Sequence, residues 1–478
     1  MKRWRNFATL VVLVAMGVVV LLGLVPGAAF AGPDEAPPPP GDDVRPQAVP
    51  GTWNTGFQVQ NLGTSDATVR VYYYDATGTL VYTQGPVTIG VGEAATFYQP
   101  DIPDADLPAG QYSVIVESDQ PVAAVVNQTN YDYSIADSYN GLDQGATEVN
   151  LPLVFSGHSD WYSTIVVQNA DSDSASVTLH FYTPGNSTAV YTKGPDAIPA
   201  AAALSYDLSE GEYITALGGS WYGSVVVSSD RNVVAVVNEF KVTDGTRIMS
   251  TLSGFVESGT KFMAPLVFKN YSPNDTSGWT SGIQVQNLGA TDATVRMTYT
   301  AGGVPYVKEK TVAANSSGTF YMPDYGDIPD GSVGSAVVEC TTGQDIAVLV
   351  NTTKYAAGVA VGYNAFLDGT GTTKISCPLV FKNYNPDWIT GVQVQNMGAT
   401  DATVRMTYTD TPSGVSYVKE KTVAANSSGT FYMPDYGDIP DGYGSAVVEC
   451  TTGQDIVAIV NTTKYSAPFA LNYRGLNY

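Results

Sequence analysis

The chain reads as an all-β protein: four tandem antiparallel β-sandwich modules, strung as beads behind an N-terminal signal peptide. Three observations predict this. Short runs rich in Val, Tyr and Thr alternate apolar and polar residues at period two. Turn residues interrupt them at a spacing of roughly 8–12 residues, as in sandwich proteins. One strand phrase recurs four times along the 478 residues.

The first element is an export leader. Lys2, Arg3 and Arg5 precede an apolar run over 8–25, a Pro26-Gly27 breaker and Ala29-Phe30-Ala31, which fits cleavage before Gly32. The run also has the length to span a bilayer, so an uncleaved N-terminal anchor is the second reading, and the only predicted membrane contact. Residues 32–50 form a Pro-rich linker, extended and without a core of its own. The modules follow at 51–150, 151–263, 264–376 and 377–478.

The recurring phrase is Gly-Phe-Gln-Val-Gln-Asn at 56–61, Thr-Ile-Val-Val-Gln-Asn at 164–169, Gly-Ile-Gln-Val-Gln-Asn at 282–287 and Gly-Val-Gln-Val-Gln-Asn at 391–396. Each copy follows a tryptophan: Trp53, Trp161, Trp279 or Trp388. A second strand comes after a polar turn, at 67–74, 175–182, 293–300 and 402–409. There Val69, Val71 and Tyr73 alternate with Thr68, Arg70 and Tyr72, so one face enters a core and the other meets water. An aromatic strand, a Pro/Asp/Gly loop and an apolar hairpin complete each unit. Residues 306–331 are identical to 417–442, a sign of internal duplication. Copying of this kind suits reach, multivalency or a lattice better than one unique pocket.

An apolar strand of Pro-Leu-Val-Phe type precedes modules two, three and four, at 151–155, 264–268 and 377–381. Module one has only the weak substitute at 44–50. Four modules thus share three such strands. The expectation is an unpaired edge at one end of the array, capped by 44–50 or the terminal tail, or paired with further subunits or a second protein in a filament or lattice.

Composition narrows the function classes. Only 14% of residues are charged, and 22 basic against 45 acidic residues leave a net charge of −23. The leader carries three of the basic residues and no acidic one, so the exported chain is more acidic still. Such a surface repels phosphate backbones and argues against nucleic-acid binding. The two histidines, His158 and His180, neighbour no nucleophile motif and read as surface residues. No catalytic site and no bound cofactor is expected. The carboxylates Asp324, Asp327 and Asp330 recur as Asp435, Asp438 and Asp441 on a Gly/Pro loop; they read as turn residues, with calcium as the alternative. Three cysteines, Cys340, Cys377 and Cys450, predict one disulfide after export, Cys377–Cys450 or Cys340–Cys377, with one thiol left over. Sequons stand at Asn127, Asn186, Asn274, Asn315, Asn351, Asn426 and Asn461. The repeated tryptophan reads as core or inter-module packing, with a sugar platform as the alternative.

The phrase Trp-x-x-Gly-Ile/Val-Gln-Val-Gln-Asn-x-Gly, followed by an Ala-Thr-Val strand, resembles tandem Ig-like or CARDB-like β-sandwich repeats of secreted bacterial cell-surface proteins. Pro-Leu-Val-Phe-Lys-Asn-Tyr at 265–271 and 378–384 is similar to a segment recurring in such chains. The resemblance covers about residues 51–478, although a C-terminal sorting signal is not seen. It implies an extracellular, adhesive or structural role with itself, other surface proteins or surface glycans as partners. The expected function is therefore a secreted cell-surface repeat protein, not an enzyme. The alternatives are an extracellular carbohydrate-binding protein and a non-catalytic part of a hydrolase system.

Overall fold

The computed structural model describes residues 8–14 and 51–478, apart from 244–245, 273–277, 386, 465, 467–468 and 478. Of the leader and the Pro-rich linker, only Ala8–Val14 is among them; the cleavage site and the 44–50 segment lie outside. The described chain is almost entirely β-structure in antiparallel sheets, as the period-two pattern predicts.

The third module shows the plan. One sheet runs Val304–Val312, Ala293–Ala301, Ser332–Cys340, Lys261–Lys269 and the two-residue strand Phe366–Leu367. The facing sheet runs Ser317–Tyr321, Thr280–Asn287, Ile346–Lys354 and Val359–Asn364. The fourth module repeats this strand for strand. In the second, a single long strand, Trp221–Thr243, passes from one sheet into the other. The only α-helix among the described residues, Gly211–Leu217, was not visible as periodicity; it is two turns long and closed by Gly218 at φ 84°.

The asparagine that ends the repeated phrase explains why the phrase recurs. Asn61, Asn169, Asn287 and Asn396 are all fully buried. In each, Nδ2 donates to a carbonyl four residues on (Ser65, Asp173, Thr291 or Thr400, 2.7–2.8 Å) and to a carbonyl of the next hairpin, while Oδ1 accepts the amide two residues on. One side chain thus satisfies a turn that the core would otherwise leave unpaired.

The bead-like spacing is corrected. The last strands of the four modules, Ile135–Asn140, Thr246–Ser253, Val359–Asn364 and Phe469–Arg474, pack in a cycle: first on second, second on third, third on fourth, fourth on first. The modules form a closed ring, with these axial strands at its centre. The physical cause is burial on both faces. Ile135–Asn140 is buried at every position but the last, although its sequence, Ile-Ala-Asp-Ser-Tyr-Asn, looks half polar.

Each repeated tryptophan sits at a seam of the ring. Trp53 packs edge-on to Phe240 of module two, with ring centroids 6.0 Å apart. Trp161 joins Ile248 and Ala360 across the second seam, and Trp279 joins Val359 and Ala470 across the third. Trp388 stacks on Phe469 at 5.8 Å and joins Ala136, which closes the fourth module onto the first.

Candidate functional site

The Pro-Leu-Val-Phe strands belong to the modules that follow them. Ala146–His158, Lys261–Lys269 and Lys374–Lys382 pair with Trp221–Thr243, Ser332–Cys340 and Gly442–Cys450 respectively. In every case the register slips at the Pro-Leu step. The bulge is clamped in modules three and four. Tyr363 Oη accepts from Leu266 N at 3.1 Å and donates to Leu266 O at 2.7 Å; Tyr473 does the same to Leu379 at 3.0 and 2.6 Å. In module one the corresponding place, beside Tyr112–Ser118, is taken by Ala8–Val14 in seven unbroken antiparallel pairs.

The ring axis holds a second site, which sequence reasoning missed. Asp137 and Glu239 are both fully buried. Asp137 accepts from Thr251 N of module two at 2.6 Å and from Ser138 N at 2.8 Å, and the Asn472 backbone of module four also reaches it. Glu239 accepts from Asn351 Nδ2 of module three at 2.8 Å. Burial pushes both carboxyls well above the usual carboxylate range, and the charge of Asp137 adds to the rise at Glu239. Around them, Glu239 Oε1, Ser250 Oγ, Asn351 Oδ1, Asn461 Oδ1 and Asn472 Oδ1 have no hydrogen-bond partner. The signal available was positional: Asp137 occupies a place held by Ser250, Val361 and Leu471 in the other axial strands.

A cavity of about 320 Å³ opens beside this centre, lined from all four modules by residues including Ser138, Asn140, Thr251, Asn364, Asn472 and Arg474. The Arg474 guanidinium lies 4.2 Å over the Phe366 ring. Burial works against its charge and the nearby Glu257 carboxylate supports it. The arrangement offers amides, one cation and an aromatic face, a set suited to holding a polar ligand.

The predicted loop carboxylates are not brought together. Lys308 pairs with Asp327 at 2.5 Å and Lys419 with Asp438 at 2.5 Å. Lys269 donates to Tyr325 O, Ile328 O and Asp330 (2.9, 2.5 and 3.1 Å), and Lys382 to Ile439 O and Asp441 (2.5 and 3.2 Å). An ammonium thus collects the loop oxygens. Asp324 and Asp435 end short 3-10 turns. Among the described residues no group of three or more His, Cys, Asp or Glu gathers to hold a metal.

The expected disulfide is corrected: Cys340, Cys377 and Cys450 are free and buried. Cys377 lies opposite Ala446, whereas Cys450 N bonds to Thr373 O, four residues back along the same strand. Four residues of strand span about 13 Å, too far for a disulfide. Cys340 pairs with Val295 inside module three. Asn127, Asn351 and Asn461 lie half-buried on strands beside the axis, while Asn186 is exposed in a turn.

No protein-family model matches the chain, and no curated protein matches it. Among solved structures, the crystal structure of Thermotoga maritima 1070 is 14% identical, with 23% of this chain and 94% of that one covered and a TM-score of 0.20. A tetra-tandem repeat from the extending region of a large adhesion protein is 13% identical over 89% of this chain and 95% of that one, with a TM-score of 0.11. The pilus adhesin SpaC from Lactobacillus rhamnosus GG is 10% identical over 89% and 57%, with a TM-score of 0.10. Likenesses this faint support no argument about mechanism.

Proposed function

We propose that the protein is an exported cell-surface repeat protein that works by adhesion or as a structural unit, not by catalysis. The observation that carries this reading is the use to which the repeat is put. The residues shared by all four copies, the phrase asparagines and the seam tryptophans, are spent on turns and module contacts. A unit copied for its architecture builds a scaffold, and binding then falls to the features that the copies do not share. The export reading rests on the basic, apolar, small-residue order of residues 1–31. The test is fractionation of the native host, with protease applied to intact cells. The protein is expected in the medium or protease-accessible at the surface, and purified protein is expected to coat cells or matrix. Confinement to the cytoplasm contradicts the proposal.

A second reading, glycan binding, is favoured by the axial cavity with its Arg474, Asn140 and Asn364 side chains. Binding of a soluble oligosaccharide that is lost on Arg474→Ala supports it.

A further inference from the structure

We propose that the lead-strand slot of module one is an acceptor site for an extended peptide of Pro-Leu-Val-Phe type from a second polypeptide, with Ala8–Val14 occupying it in the uncleaved chain. The inference rests on the export reading only in that cleavage would vacate the slot. The slot lies beside Tyr112–Ser118, where the other modules hold their own Pro-Leu-Val-Phe strands. Ala8–Val14 satisfies the sheet edge but not the slot. Its register is straight, without the Pro-Leu bulge of the three other occupants.

Two buried polar groups at the slot are left unanswered. Tyr139 occupies the position of the clamping Tyr363 and Tyr473. It is 3% exposed, and its hydroxyl, whose counterparts in modules three and four grip the lead strand, has only the Gln128 side chain beside it. Gln168 is fully buried, and both of its amide atoms are unpartnered. Its three counterparts each reach the lead strand of the preceding module at the residue two before the proline. Gln286 Nε2 lies 3.5 Å from Asn150 Oδ1, Gln395 Nε2 lies 4.0 Å from Met263 Sδ, and Gln60 Oε1 accepts from Ser376 Oγ. Gln168 therefore awaits a residue at the same place of a strand in module one. Orphaned buried groups of this kind cost stability until a ligand supplies their partners. An incoming strand would be read by its main chain at the edge, by the bulge at Tyr139 and by a polar residue two before the proline at Gln168. Every Pro-Leu-Val-Phe strand of this chain is already used within its own module, so the donor is another polypeptide.

One feature narrows the fit. Tyr112 stands where the other modules have Gly223, Gly334 and Gly444, so the end of the peptide beyond the bulge meets a side chain there.

The test is titration of protein 32–478 with the synthetic peptide Lys-Ile-Ser-Ala-Pro-Leu-Val-Phe-Lys, which is segment 374–382 with Ala for Cys377, while hydrogen exchange is followed at residues 112–118. Binding at one peptide per chain, new protection of those amides and no binding of a scrambled peptide are expected. The double variant Tyr139→Phe, Gln168→Leu is expected to bind about tenfold more weakly without a lower melting temperature, since it removes only the two unanswered groups. Tyr112→Gly is expected to bind more tightly. If 32–478 does not fold, the full chain carrying Val11→Pro, which breaks the resident pairing, is titrated instead. Failure of folded protein to bind the peptide, or amides 112–118 fully protected without it, overturns the proposal. The cellular location, measured separately, decides the export reading, so the two can fail independently.

Discussion

Asn140 of module one and Arg474 of module four, 334 residues apart, hold each other by two hydrogen bonds: Asn140 Nδ2 donates to Arg474 O at 2.7 Å, and Arg474 N donates to Asn140 Oδ1 at 2.8 Å. The pair closes the ring where chain connectivity does not. The seam between modules two and three uses a related contact, Asn364 Nδ2 to Ser253 O at 2.9 Å. Replacing Asn140 by Ala strands both groups of Arg474 at the seam, at a cost of about 1–3 kcal/mol. The expected result is a lower melting temperature together with faster exchange in Phe469–Arg474. Unchanged exchange there would show that the seam does not depend on this pair.

Trp388 and Phe469 supply the apolar part of the same seam. Trp388→Ala removes the stack and part of the cover over Ala136. A loss of about 2–4 kcal/mol follows, below or within the range for burying a large aromatic, because Trp388 is only partly buried. Since modules one and four then separate locally, chemical denaturation of the variant is expected to show an early phase that the parent lacks.

Strands, module count and the buried phase of the half-buried strands were legible because period two is a local signal; Val69, Val71 and Tyr73 are buried as their alternation predicts. Ring closure was not legible. It rests on small residues such as Ala136, Ala360 and Ala470, which give close approach without an apolar signature. It also rests on strands buried on both faces, where alternation carries no information. Asp137 lies in such a strand, so the local pattern carries no sign of its burial. The loop aspartates read as turn residues, with calcium as the alternative; sequence shows their oxygens but not Lys269 and Lys382 reaching back from another strand.

The buried acids predict an unusual pH dependence. Asp137 and Glu239 have folded-state pKa values raised above those of the unfolded chain. The folded protein therefore holds protons that the unfolded chain releases, and their contribution falls as pH rises from about 4 toward their raised values. Glu239→Gln keeps the shape and removes the titration. The variant is expected to melt higher than the parent at pH 8 and close to it at pH 4, by thermal melts at both. A constant difference across that range would contradict the assignment.

The thiols are expected to be inert in the folded state. Burial pushes Cys377 up to about 12, and Cys340 and Cys450 are each 4% exposed. Native protein should take up no alkylating reagent over a period in which denatured protein takes up three equivalents, and reductant should leave the melting temperature unchanged. A mass deficit of two protons in the native protein would indicate a disulfide.

Chelator is expected to have no effect on stability, because lysine ammoniums already occupy the oxygens of both aspartate loops. Melts with calcium and with chelator check this. A calcium-dependent rise that is lost on Asp327→Asn would assign the loop to metal.

Closure of the four modules into a ring is decided by small-angle scattering of the full chain in solution. A closed ring of this size predicts a radius of gyration of about 23 Å from compact-chain scaling, increased slightly by the N-terminal segment. Four modules in a row predict roughly twice that value, with a rod-like distance distribution, and that result would contradict the ring.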